Sequence, residues 1–220
     1  LLMRAEKKLQ TRQSLLDAAL ALMETGRGFS GISLREITRE VGIVPTAFYR
    51  HFPDMESLGL ALVEEVSSSF REAIRLVRSN QFEHLGAISA SVQIFVDYVV
   101  AHRQLFLFLA REQYGGASVV RQAIEDMQQR FITDLVADLK LMPKQRHLRD
   151  DDLEILADLI VKTVFSSLPE LINPAELKGA PLQLAQDRLE SKLRFIFMGA
   201  KYWRGIRWAA SSSDGATASE

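Results

Sequence analysis

The sequence predicts an all-α chain, and three observations carry that reading. Apolar residues recur at helical spacing along most of its 220 residues. Breakers such as Gly26, Gly28, Gly115-Gly116, Met142-Pro143 and Asn173-Pro174 punctuate the periodic stretches. No alternating β-branched run is paired with an Asn-Gly or Asp-Gly turn, so no hairpin is expected.

Leu9, Leu16, Ala19, Leu20 and Met23 form one apolar face of a first helix that stops at Gly26 and Gly28. Arg4, Lys7, Lys8 and Arg12 are expected to precede it as a flexible basic arm. Ser33 stands three residues before Glu36, the capping-box spacing, which predicts a short second helix ending near Val41-Gly42-Ile43. Pro45 fits the first turn of a third helix, about two turns long, halted by Pro53. Asp54 is placed to cap a long fourth helix through Leu58, Leu62, Val66 and Phe70 toward Arg78, with Asn80 ending it. Further helices are expected over 83–101, 103–113, 118–141, 150–168 and 183–207. The last residues, 209–220, are small and polar and are expected to be disordered.

Apolar residues make up 47% and charged residues 25%, which excludes wholesale disorder. The strongest apolar run, Ile94 to Val100, is short and interrupted by Asp97, so no membrane span is expected. The absence of cysteine excludes disulfides, thiolate metal sites and cysteine nucleophiles. The opening Leu1-Leu2-Met3-Arg4 lacks signal-peptide features, and a cytoplasmic location is the expectation. The net charge is −1, but residues 1–52 carry eight bases against five acids, leaving +3 there and −4 on the remainder. A basic head on an acidic body suits a small nucleic-acid-binding domain attached to something else, although ordinary surface charge gives the same count.

The residues of the head favour the first alternative. Two short helices joined by a glycine-containing turn make a helix-turn-helix candidate whose second helix enters the major groove. Thr46 and Ala47 suit contacts with bases or a thymine methyl, while Tyr49, Arg50 and His51 suit phosphates. Phe48 and Phe52 are expected to face inward. The candidate DNA-binding set is Lys8, Arg12, Ser33, Arg35, Pro45, Thr46, Ala47, Tyr49, Arg50 and His51.

With Ser33-Leu34-Arg35-Glu36-Ile37, Val41-Gly42-Ile43 and Phe48-Tyr49-Arg50-His51-Phe52 in view, residues 11–62 resemble the DNA-binding domain of the TetR family of transcriptional regulators. That resemblance implies a three-helix head, a helical ligand-binding and dimerisation body, and a homodimer reading a palindromic double-stranded operator. One departure is Met55, where the family often has a lysine three residues past the His-Phe pair. Residues 53–63, 106–116, 193–196 and 201–205 resemble the DesT/FabR branch, whose members control unsaturated fatty-acid synthesis and sense long-chain acyl thioesters. By that resemblance the chain is a repressor of such genes, without enzymatic activity or cofactor. Its effector is long-chain acyl-CoA, with saturated and unsaturated chains acting oppositely. The expected domains are 1–53 for DNA binding, 54–208 for ligand and dimer, and 209–220 as tail.

The body is rich in aromatics, including Phe82, Phe108 and Phe131, which suit either an apolar tunnel or a packed core. The candidate ligand-binding set is Leu62, Val66, Phe70, Phe95, Tyr98, Val99, Phe106, Leu109, Arg111 and Phe165. Arg111 and Glu112 interrupt an apolar stretch and either frame the pocket or pair on the surface. Helix 150–168, with Leu153, Leu156, Leu159, Ile160, Val164 and Phe165, has more apolar residues than one face needs. So has the last helix, with Leu189, Leu193, Ile196, Phe197, Tyr202 and Trp203, and a dimer partner is the natural outlet.

Gly26-Arg27-Gly28-Phe29-Ser30-Gly31 has dinucleotide-loop spacing but follows a helix, outside any βαβ unit. His51, His84, His102 and His147 never reach metal-ligand spacing, and Asp150-Asp151-Asp152 reads as a helix start. Two further readings remain open: a repressor of efflux type answering lipophilic cationic drugs, with Asp97 and Glu112 as candidate acids, and a helical lipid carrier without DNA function.

Overall fold

The computed structural model describes residues 2–79, 86–142, 145–173 and 180–204, and among these there is no strand. Helix α1 (Leu2–Met23) leads through a single 3₁₀ turn (Phe29–Gly31) to α2 (Leu34–Val41) and α3 (Pro45–Phe48). The body comprises α4 (Met55–Ser79), α5 (Gly86–Ala101), α6 (Arg103–Glu112), α7 (Ser118–Leu141), α8 (Asp150–Ile172) and α9 (Ala180–Tyr202).

The head follows from local rules. Leu15, Leu16, Ala19 and Met23 of α1 are buried with Ile37 of α2 and Phe48 of α3, so a small core forms where one long helix meets two short ones. Ser33 and Glu36 make the expected capping box: Glu36 N–H donates to Ser33 Oγ at 3.3 Å and Ser33 N–H to Glu36 Oε2 at 3.0 Å. Gly42, at φ 74°, takes the left-handed conformation that ends α2, and its N–H returns to carbonyls of the last turn. Asp54 Oδ1 accepts from Ser57 N–H at 2.7 Å and starts α4.

Four expectations need correcting. The basic residues Lys7, Lys8 and Arg12 are not on a flexible arm, because α1 begins at Leu2 and already contains them. No glycine or proline interrupts 2–23, and Ala, Glu, Lys, Leu and Gln are good helix formers. Leu9 lies off the buried face, 67% exposed. Helix α3 is one turn of four residues rather than two turns, with Tyr49–His51 continuing as turn. Helix α8 runs through Pro169 to Ile172, held there by the buried Leu168, Leu171 and Ile172. The expected segment 83–85, Asn80 and the tail 209–220 lie outside the described residues.

In the body, α8 packs on α6, α7 and α9, while α4 lies against α5, α6 and α7. Helix α4 also touches α1, so it belongs to both halves of the molecule. No single described helix is long and apolar enough to cross a membrane. The bent pair 88–101 and 103–112 has the composition, but it turns by 94° and carries the fully buried Phe106, Phe108 and Leu109 into the core.

Candidate functional site

The recognition segment separates its residues cleanly. Phe48 is fully buried and packs against Phe52 at 5.7 Å between ring centroids, which anchors the single turn of α3. Around that anchor Val44, Pro45, Thr46, Tyr49 and Arg50 are exposed, and Ala47 is half-buried. Tyr49, 61% exposed, meets the Phe48 ring edge-on at 5.8 Å, so its phenol is held at a fixed angle to solvent.

A positive cluster adjoins it. The Arg12 guanidinium lies 4.8 Å from the Phe52 ring centroid, a cation–π contact that ties α1 to the end of the recognition segment. His51 is half-buried, and its Nδ1 is buried without a hydrogen-bond partner. Burial holds its pKa below the usual value, and the charges of Lys8, Arg12 and Arg50 push it the same way. The positive charges of Lys8 and Arg12 on α1 and of Arg50 in the turn after α3 thus gather around His51, as an anion-binding surface requires. Arg35 is exposed on α2, whereas the Ser33 hydroxyl is engaged with Glu36 at 2.8 Å in the cap.

The seam between head and body uses residues that sequence reasoning put elsewhere. Arg111 does not frame an apolar chamber; its guanidinium donates to the Met23 and Arg27 carbonyls of the head. Glu112 is 1% exposed, and its Oε1 accepts from Phe29 N–H at 2.8 Å. Its Oε2 is buried without a partner, and a Cβ on Gly115 would sit 2.2 Å from that oxygen. Arg103 pairs with Glu24 at 2.6 Å while Gln104 donates to the other oxygen of Glu24 at 3.1 Å. Helix α6 therefore grips the segment between α1 and α2 at both of its ends. Each partner is some 80 positions away in the chain, and no local spacing signals it.

Beneath α4 the candidate ligand-binding residues come together. Phe70 is the hub: its ring centroid lies 5.4 Å from Phe95, 5.6 Å from Phe106, 5.1 Å from Phe131 and 4.9 Å from Phe165. Leu62, Val66, Val99 and Leu109 are buried in the same core. Tyr98 is half-buried, accepts the Ser69 hydroxyl at 3.1 Å and stacks on His102. The rings fill the space between the helices, and the described clefts lie at the edges of the cluster. One, of about 450 Å³, is bounded by α4 and α7 and includes Phe131; the other, of about 390 Å³, lies by Glu64, Glu65, Tyr98 and His102. Burial raises the Glu65 pKa above its ordinary value, and Gln13 of α1 hydrogen-bonds its carboxyl. Phe82 and His84 lie outside the described residues. Asp97 is exposed and accepts from Gln93, while Glu112 is taken by the head, so neither faces the rings.

On α8 and α9 the surplus apolar surface falls on partly different residues from those expected. Leu153, Leu156, Phe165, Leu189 and Leu193 are core, whereas Ile155, Leu159, Phe195, Met198 and Tyr202 are exposed. Trp203 is fixed to the body by its indole N–H, which donates to Asp152 at 2.8 Å and holds that carboxyl below its usual pKa. Among the described residues no three His, Cys, Asp or Glu side chains gather as metal ligands would.

Comparison with known proteins fits these parts together. Residues 15–62 match the model of bacterial regulatory proteins of the tetR family, and residues 85–199 match the tetracyclin repressor-like C-terminal domain. A TetR-like transcriptional regulator from Rhodococcus sp. RHA1 superposes with a TM-score of 0.65 at 20% identity, over 86% of this chain and 96% of that one. FadR of Thermus thermophilus, a TetR-family repressor solved with lauroyl-CoA, gives 0.57 at 19% identity over 91% and 98%. The fatty acid degradation regulator FadR of Bacillus halodurans gives 0.61 at 13% over 82% and 96%. Likeness at these identities speaks for the fold, and the two family models span the helix-turn-helix and most of the body. The chain belongs to the TetR family of DNA-binding transcriptional regulators.

Proposed function

We propose that this regulator represses genes of unsaturated fatty-acid synthesis or desaturation, and that long-chain acyl-CoA bound in the helical body sets its affinity for a palindromic operator. The observation that carries the reading is the buried ring cluster centred on Phe70, on the helix that also reaches the head. An acyl chain entering among those rings must displace Phe70, and a displacement of α4 alters the placement of the head. The FadR neighbour bound to lauroyl-CoA supports a long acyl thioester as a ligand compatible with this architecture. A cis double bond bends the chain, so saturated and unsaturated ligands favour differently packed states and act oppositely.

In the head, the proposed readers of bases are Thr46 and Ala47, with Pro45 setting the start of the recognition turn. Lys8, Arg12, Arg35, Tyr49, Arg50 and His51 are the proposed phosphate contacts, and Ser33 contributes through the cap that fixes α2. The exposed apolar strip on α8 and α9 is the proposed homodimer face, which sets two recognition segments about one DNA turn, ~34–36 Å, apart. The second reading, a repressor answering lipophilic cations, is favoured by one feature, the carboxylates of Glu64 and Glu65 beside the stacked Tyr98 and His102.

The test is a fluorescence-anisotropy titration onto a palindromic operator selected from a randomised duplex library, at fixed salt. Oleoyl-CoA, palmitoyl-CoA and a lipophilic quaternary ammonium are compared. Opposite shifts by the two thioesters are expected. Indifference to both, with release by the cation, would overturn the lipid reading and leave the regulator.

A further inference from the structure

We propose that the cleft between α4 and α7 is the entry port for the effector, with Arg71 and Arg130 holding the phosphates of its headgroup and Phe131 standing at the neck. The proposal rests on the acyl-thioester reading and adds the place and chemistry of headgroup recognition. The two guanidinium groups come from different helices bordering one cleft of about 450 Å³. Arg71 is exposed and is paired with Glu64 at 2.9 Å, an interaction that solvent screens. Arg130 is exposed and has no hydrogen bond or ion pair among the described residues.

Two further features mark the cleft as a ligand site. Ser67, one helical turn before Arg71, lines it with 1% of its surface exposed, and the hydroxyl has no hydrogen-bond partner among the described residues. A buried hydroxyl without a partner costs free energy, which a hydrogen-bonding ligand recovers. Met127 and Phe131 supply the apolar side of the same cleft. The Phe131 ring lies 5.1 Å from Phe70, the hub of the aromatic cluster. The cleft thus brings two exposed guanidinium groups, a buried hydroxyl and a ring that touches the cluster together, the chemistry of a charged head, a polar arm and an alkyl tail, and a ligand entering there displaces Phe131 to reach the rings.

The cleft also carries Asp126 and Asp134 on α7. Asp126 accepts from Gln122 at 3.0 Å, and each acid is four positions from Arg130 without pairing with it. These carboxylates weaken attraction for a single negative charge. A headgroup with several phosphate charges presents enough acceptors to engage both planar guanidinium forks. A cationic amphiphile is the competing occupant, and its binding is an outcome of the test.

The experiment measures binding of palmitoyl-CoA and of S-palmitoyl-pantetheine, which has the same tail and arm but no phosphate, to wild type and to the Arg71→Gln/Arg130→Gln double variant. Thermal melting checks that each protein is folded. Wild type is expected to prefer the CoA ester by about tenfold or more, with the preference falling as salt rises. The double variant is expected to bind the two nearly equally. A single variant, Phe131→Trp, is expected to slow association of both by narrowing the neck. A phosphate preference that survives in the double variant overturns the port while leaving an acyl-CoA regulator intact. The same holds for a wild type that binds both esters alike or favours a palmitoyl quaternary ammonium. A wild type that binds neither ester overturns both this port and the acyl-CoA reading.

Discussion

At the scale of single residues, the capping box is the clearest case of sequence specifying structure. Ser33 and Glu36 need only a three-residue spacing to find each other, and they do. Hydrogen bonds from the Ser33 backbone, then from Arg27, hold the Glu36 carboxyl at about 2, well below its ordinary 4.5. A depressed folded-state pKa means stability that is fully present above pH ~4.5 and is lost as pH falls toward ~2. Melting temperature followed across that range is expected to fall more steeply in wild type than in Glu36→Gln, and parallel curves would refute the linkage. Tyr49 gives the functional counterpart. Its removal in Tyr49→Ala takes away an exposed phenol and no core volume, so operator affinity is expected to drop by about tenfold or more while melting changes little. Wild-type affinity in that variant would remove Tyr49 from the interface. Arg111 was not legible in this way, because its partners are backbone carbonyls 88 and 84 positions away.

Helices whose limits are set by breakers were legible, and those whose limits are set by tertiary contacts were not. Gly42 ends α2 where expected, and α7 spans 118–141 as its spacing predicts. Positive charge at Lys7, Lys8 and Arg12 suggests a flexible arm, but lysine and arginine propagate helix well and α1 already begins at Leu2. The spacing ends α8 at 168, whereas the helix continues through Pro169 to Ile172, where burial of Leu171 and Ile172 outweighs one lost backbone bond. The grip of α6 on the head is testable at this scale. Glu112→Ala leaves the Phe29 N–H without its acceptor and is expected to cost about 1–3 kcal/mol. Glu112→Gln keeps an acceptor oxygen and should recover most of that loss. Denaturant melts check the energies, and hydrogen exchange at the Phe29 amide reports whether the seam itself has opened. Unchanged exchange in the alanine variant would contradict the role assigned to Glu112.

For the whole molecule, the sequence carried the division into a basic head and an aromatic-rich body, since both follow from composition and periodicity. It did not distinguish a tunnel from a filled core, because the same rings at the same spacing serve either one, and the structure packs them tilted or stacked around Phe70. The proposed dimer is likewise a property of the assembled surface. Phe195→Glu puts a charge on a residue that is 83% exposed in the single chain, so folding is expected to survive. Sedimentation is expected to show a monomer, and affinity for the full palindrome should fall on the order of 100-fold through loss of the second half-site. A dimer that persists in this variant would place the interface elsewhere. The one-turn α3 has a consequence for how such a protein diversifies. Phe48 alone secures it from within, while Val44, Thr46, Tyr49 and Arg50 project outward. The letters proposed to choose an operator can therefore be rewritten by mutation with little penalty to folding. On that proposal, duplicated copies of this gene are free to drift toward separate promoters, and an engineer can build mutually blind regulators on one unchanged body.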